Sequence, residues 1–208
     1  MPGLHAGLRA VLTACCASAA LAASAPAQLP TLPENSARVT HYAMRVRLDE
    51  DGRTIRGTLA LTWRNPGAVA TELRWHTYNN AWESADSLWL REARAFANGA
   101  PDLPRVWGST EIGEVWLRGA QPGQDQRLNW EWIPQPDAPR DRTVARTVLP
   151  EAIGSGAELR VELDFVTVMP RAFRRSGWGE NGYLHAVQWF PKVGVWERQD
   201  QTWSWNCR

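Results

Sequence analysis

The chain has 208 residues, 44% apolar and 22% charged, a globular composition that excludes a disordered or fibrous polypeptide. With 23 basic and 22 acidic residues the net charge is +1, which lacks the basic excess of a nucleic-acid binder, so no nucleic-acid partner is expected. The unusual feature is 13 Trp against 3 Tyr and 4 Phe, which points either to a heavily aromatic core or to a sugar-stacking surface.

Residues 1–27 have the layout of a secretory signal peptide. Arg9 gives the positive start, Ala10 to Ala23 an alanine-rich apolar run, and Ala25-Pro26-Ala27 the small residues before a cut at Gln28. The run is too short to span a bilayer stably, and no later stretch reaches the roughly 18 apolar residues of a transmembrane helix. The expected location is exported, periplasmic or secreted. Leu12-Thr13-Ala14-Cys15 also resembles a lipobox, so a lipoprotein acylated at Cys15 is the minor alternative. Once the leader has gone, Cys207 is the single thiol and no intrachain disulfide can form. Residues 28–37 hold prolines and no periodicity and form a linker, ahead of one domain over 38–208.

Tyr42, Met44, Val46 and Leu48 alternate with Ala43, Arg45 and Arg47. After the turn Asp49–Gly52, Ile55, Gly57, Leu59, Leu61 and Trp63 alternate with polar neighbours. The pattern predicts a hairpin with one buried face, ended by Asn65-Pro66-Gly67. A third strand is expected near Glu72–Thr77. Ala81 to Ala95 is the one convincing helical stretch, with Asn80 as its cap, and Asn98 to Gly108 reads as loop. Further strands are predicted near Gly113–Arg118, Arg127–Ile133, Thr143–Leu149 and Ala157–Val168, with Pro150–Gly156 a loop and Tyr183–Phe190 a final strand. Many short strands between turns predict a mainly antiparallel all-β domain, saddle-like or sandwich, with one short helix.

Chemistry-bearing strings are few. Asp49-x-Asp51-Gly52 begins like a calcium loop, but the twelfth position is Ala60 where a bidentate acid is needed, so it reads as a hairpin turn. Gly177-Trp-Gly-Glu-Asn-Gly182 fits a dinucleotide fingerprint in letters only, because no buried strand precedes it and no helix follows. His41, His76 and His185 show no metal-ligand spacing, and no His-Glu-x-x-His or Gly-x-Ser-x-Gly string occurs, so no catalytic residue, metal ligand or cofactor is assigned to these residues. Glu162 and Asp164 fall on the solvent face of a strand. Trp63, Trp75 and Trp189 read as core or half-core. Trp130 and Trp132 share one strand face, either as packing or as a sugar platform.

His185-Ala-Val-Gln-Trp-Phe-Pro-Lys-Val-Gly-Val-Trp-Glu197, followed by Trp203-Ser-Trp-Asn-Cys207, resembles bacterial members of the gluzincin aminopeptidases, peptidase family M1. Leu73-Arg-Trp-His-Thr-Tyr-Asn-Asn-Ala-Trp82 similarly looks like a segment of that family's N-terminal domain. The resemblance covers about residues 38–207. It implies a saddle of antiparallel sheets that caps the cleft of a following zinc metallopeptidase domain acting on peptides. Zinc, its His-Glu-x-x-His ligands and the general base would belong to that domain, expected as the partner in cis, and the chain reads as truncated before it and inactive alone. The resemblance puts Gln188, Tyr183 and His185 nearest the substrate, and Trp189, Phe190 and Trp196 at the interface with the catalytic domain, where they would form an apolar patch once that domain is missing. The alternative is a secreted Trp-rich β-sandwich that binds polysaccharide.

Overall fold

The computed structural model describes residues 38–96, 107–172 and 175–207. The leader (1–27), the linker (28–37) and most of the loop expected at 98–108 lie outside them. The described residues belong to one compact unit, Arg38–Arg208.

In chain order the strands are β1 (Thr40–Leu48), β2 (Thr54–Arg64), β3 (Ala70–His76), β4 (Ser109–Leu117), β5 (Gln126–Leu128), β6 (Trp130–Trp132), β7 (Val144–Ile153), β8 (Glu158–Val168), β9 (Gly177–Trp178), β10 (Leu184–His185), β11 (Lys192–Val193), β12 (Val195–Gln199) and β13 (Thr202–Asn206). One α-helix among the described residues, α1 (Leu88–Phe96), follows a 3-10 turn at Tyr78–Trp82. The larger sheet runs β1-β2-β8-β4-β5 and the smaller β11-β3-β7-β6, with every named pair antiparallel. This is the all-β antiparallel architecture that the alternation predicts.

The period-2 pattern explains the core. Leu59, Leu61 and Trp63 of β2 share a face with Val161, Leu163 and Phe165 of β8 and with Ile112 and Val115 of β4. Leu73 and Trp75 of β3 and Ala145 of β7 meet them from the smaller sheet, and all are buried in one cluster. Each large apolar side chain sealed there stabilises the fold by about 1.5–3 kcal/mol. The Trp75 indole N–H donates to Thr147 Oγ1 at 2.9 Å, which lets a fully buried Trp sit between sheets without an orphaned donor.

Four expectations need correction. The predicted hairpin forms in unbroken register from Thr40↔Trp63 to Leu48↔Ile55, but only β2 is sealed. Met44, Val46 and Leu48 are 37%, 51% and 48% exposed. β1 is the outer strand, and the opposing β11 is two residues long, so the covering sheet reaches Tyr42 and stops.

The helix begins at Leu88, not Ala81. Ser87, whose carbonyl accepts from Arg91 N at 3.0 Å and whose Oγ accepts from Leu90 N, caps it in place of Asn80. Asn80 is buried and acts as a strand end: its Oδ1 accepts from Thr110 N, and its Nδ2 donates to Thr110 O at 3.0 Å and to Arg142 O at 2.7 Å.

Pro150 lies inside β7, not in a loop. The register jumps there from Glu72↔Val148 to Ala70↔Ile153, and in that bulge a residue without an N–H costs no ladder bond. The strand expected at Tyr183–Phe190 is only the β10 pair, because its partner β9 is two residues long, and the left-handed Gln188 (φ 53°) breaks extension further on. Two smaller shifts have equally local causes. β4 starts at Ser109 rather than Gly113, and a bulge between Ile112 and Val115 breaks the alternation that would have marked its first half. The run expected at Arg127–Ile133 is split at Asn129, where β5 in one sheet hands over to β6 in the other.

Candidate functional site: the strap Val187–Trp196

The segment that carries the family resemblance lies across both sheets and is fastened at each step. At its start, Ser176 Oγ donates to Val187 O at 2.8 Å and accepts from Val187 N at 3.1 Å. Gly177 opens β9 with φ 142°, and a Cβ there would lie 2.4 Å from Ala172 Cα, so only glycine fits. Further along, Trp189 O accepts from the buried Thr167 hydroxyl at 2.6 Å. Thr167 Oγ1 is also 2.8 Å from Thr110 Oγ1, so with its proton on Trp189 it accepts from Thr110. The Trp189 ring packs on Phe165 (5.8 Å) and Phe190 (5.3 Å), and Phe190 meets Tyr42 edge-on at 5.6 Å.

The second half is strapped to β1 and β3. Val193 N donates to Tyr42 Oη at 2.9 Å, and burial pushes the Tyr42 phenol above its ordinary range. Lys192 and Val193 pair with His76 and Trp75, and Gly194 N donates to Arg74 O at 2.7 Å. Trp196 donates its indole N–H to Ala68 O at 3.0 Å and packs on Trp205, which lies on Trp63 at 5.4 Å.

Of the two polar side chains in the strap, Lys192 sits over the Phe190 ring at 5.4 Å. Gln188 is different. Its backbone is left-handed, it is half-buried, and its carboxamide bonds to no described residue. Tyr183 is 57% exposed and His185 is exposed, with ring centroids 6.5 Å apart. Trp189, Phe190 and Trp196 are half-buried against the core rather than standing open. The open apolar row is on β1 instead.

The weaker motifs resolve into structure. Asp51 accepts from Arg53 N, Thr54 N and the Thr54 hydroxyl, which hold its carboxyl down at about 2. Asp49 pairs with Arg47 and Arg56, so both acids are used by the turn. The Gly177–Gly182 string leads into a 3-10 turn, with no helix N-terminus to hold a pyrophosphate. Burial, with Lys192 adding to it, pulls His76 below its ordinary value. Among the described residues no three His, Cys, Asp or Glu side chains converge as a metal site would require. No helix among them is long and apolar enough to cross a membrane. Glu162 is half-buried on the outer face, held by Arg118, and Asp164 is exposed there, bonded by the Thr58 hydroxyl.

Trp130 and Trp132 do not make a flat platform. Their rings are edge-to-face at 82° and half-buried on the core, with the Trp130 indole N–H on Gly113 O and the Arg142 guanidinium over Trp132.

No family model and no curated protein matches the chain. Among solved structures it is similar to the CBM3a-L domain with flanking linkers from scaffoldin CipA of the cellulosome of Clostridium thermocellum. That match has 8% identity and a TM-score of 0.31, over 81% of this chain and 89% of that one. A likeness this distant carries no argument about fold or function.

Proposed function

We propose that Arg38–Arg208 is the N-terminal, cleft-capping domain of an exported zinc metallopeptidase of the aminopeptidase class. The catalytic domain would be its partner in cis, and a peptide its substrate. One observation carries the proposal: the strap is bolted to both sheets and holds one polar side chain, Gln188, that no described residue engages. A non-glycine residue held left-handed costs roughly 1 kcal/mol, and such strain is retained where a side chain must be displayed. A carboxamide offers both a donor and an acceptor, which suits the free amine end of a peptide. Tyr183 and His185, just ahead of it at β10, would be further substrate-proximal groups. Trp189, Phe190 and Trp196 serve first as the strap's anchors, and their half-exposed edges are what a catalytic domain would cover.

Zinc and the general base belong to the partner domain in this reading, since the 208 residues hold no His-Glu-x-x-His string. The domain contributes shape and one amide to the cleft.

The test is to capture the native protein from its source with an antibody to this domain. Its mass, zinc content and activity on amino-acid p-nitroanilides are then measured. Zinc at one equivalent with chelator-sensitive aminopeptidase activity supports the proposal. A protein without zinc or aminopeptidase activity, saturably quenched by soluble glycans, would sink it in favour of the polysaccharide reading.

A further inference from the structure

We propose that the outer edge of β1 is a docking site for an extended segment of a second polypeptide, apolar on one side and acidic on the other, which adds to the larger sheet as a sixth strand.

The other ends of the two main sheets are short: β5 and β6 have three residues each and β11 has two. Short edges resist unwanted pairing. β1 is nine residues long, has no proline and no bulge, and pairs with β2 in one continuous register. The direction of its free backbone groups follows from two bonds. Asp49 N donates to Thr54 O and Arg64 N donates to Val39 O, both at 2.8 Å. Odd-numbered residues therefore bond inward to β2, and the N–H and C=O groups of Tyr42, Met44, Val46 and Leu48 face the open edge. These same residues carry the apolar row, exposed beyond Tyr42. Between Val46 and Phe165 the row is notched at Gly57, where a Cβ would lie 2.7 Å from Val46 Cγ1.

The opposite face of β1 carries His41, Arg45 and Arg47, with Arg56 beside them on β2. Asp49 pairs with Arg47 and Arg56, and Asp164, two strands away on the same face, is bonded by the Thr58 hydroxyl, so Arg45 makes no ion pair among the described residues. An incoming strand meets apolar side chains on one face and arginines on the other, so its complement alternates apolar and acidic residues. A second copy of β1 fits poorly, because an antiparallel pair would stack two basic rows on one face without an acid between them. The site is on a different strand from the displayed Gln188 and is independent of the peptidase reading.

The probe is a nine-residue end-capped peptide of alternating Glu and Val, matched in length to β1. It is titrated into the protein by fluorescence anisotropy while amide exchange is followed by NMR. Saturable binding should slow exchange at Met44, Val46 and Leu48, and replacing Glu by Lys in the peptide should weaken it by about tenfold or more. Val46→Pro removes one outward N–H without touching the β1–β2 ladder, so circular dichroism should hold while binding is lost. Arg45→Glu, at an exposed side chain, should reverse the preference toward the Lys peptide and decides the matter should the proline variant unfold. Equal binding of both peptides, or unchanged exchange at those three amides, would overturn the proposal. So would concentration-dependent protection of β1 without any peptide, which would mean that a second copy is the occupant.

Discussion

Gln188 sits at φ 53° with no partner for its amide among the described residues, so stability and the proposed display pull in opposite directions at one residue. Gln188→Gly should raise stability by about 0.5–1 kcal/mol in urea unfolding, because glycine adopts this backbone without the Cβ penalty. Under the proposed peptidase function, the same change should lower the aminopeptidase kcat/KM of the native protein. A drop in stability instead would mean the side chain packs rather than presents. Asp51 and His76 both contribute on the acid side. Asp51 is held at about 2 against an ordinary 3.8, so its contribution is present above pH 3.8 and lost as pH falls toward 2. His76 is held below its ordinary 6.5, chiefly by burial, and protonation favours the unfolded chain as pH drops under 6.5. Urea midpoints should therefore fall more between pH 7 and pH 5 in the wild type than in His76→Gln, and equal slopes would refute this.

At the scale of elements, side chains replace backbone where the pattern breaks. Asn80 satisfies both main-chain groups of Thr110, and the Thr167 hydroxyl links β8 to the strap. Thr167→Val should cost about 1–3 kcal/mol, since it leaves Trp189 O and Thr110 Oγ1 without their buried partner. A loss within error would mean water takes the place of the hydroxyl. The β12–β13 hairpin is clamped by its tryptophans over the β2–β3 loop, where a Cβ on Gly67 would lie 1.9 Å from the Trp203 ring. Gly67→Ala should displace the hairpin and shift Trp emission to the red, while an unchanged spectrum would show that the loop gives way instead. The strands with clean alternation were legible from sequence: β2 and β8 have their expected faces. The helix start, the run through Pro150 and the collapse of the expected last strand were not, because each depends on a partner distant in sequence. Asp141 Oδ2, accepting from Leu88 N, fixes the helix start as much as Ser87 does.

For the molecule as a whole, at least six of the 13 Trp are engaged in packing. Trp63 and Trp75 are buried between sheets, Trp189 and Trp196 anchor the strap, and Trp130 and Trp132 stand edge-to-face. Soluble glycans should therefore leave Trp emission unchanged, and a saturable change abolished by Trp132→Ala would reverse that conclusion. The mainly β architecture could be read from the chain itself. Period-2 alternation is a local record of which face is buried. Tertiary structure alone decided that the strap's aromatic residues are anchors, that Gln188 is the polar group left over, and that β1 overhangs its partner sheet. Those outcomes depend on which strands lie opposite and how long they are, and a linear pattern carries no record of the width of the sheet that will cover it.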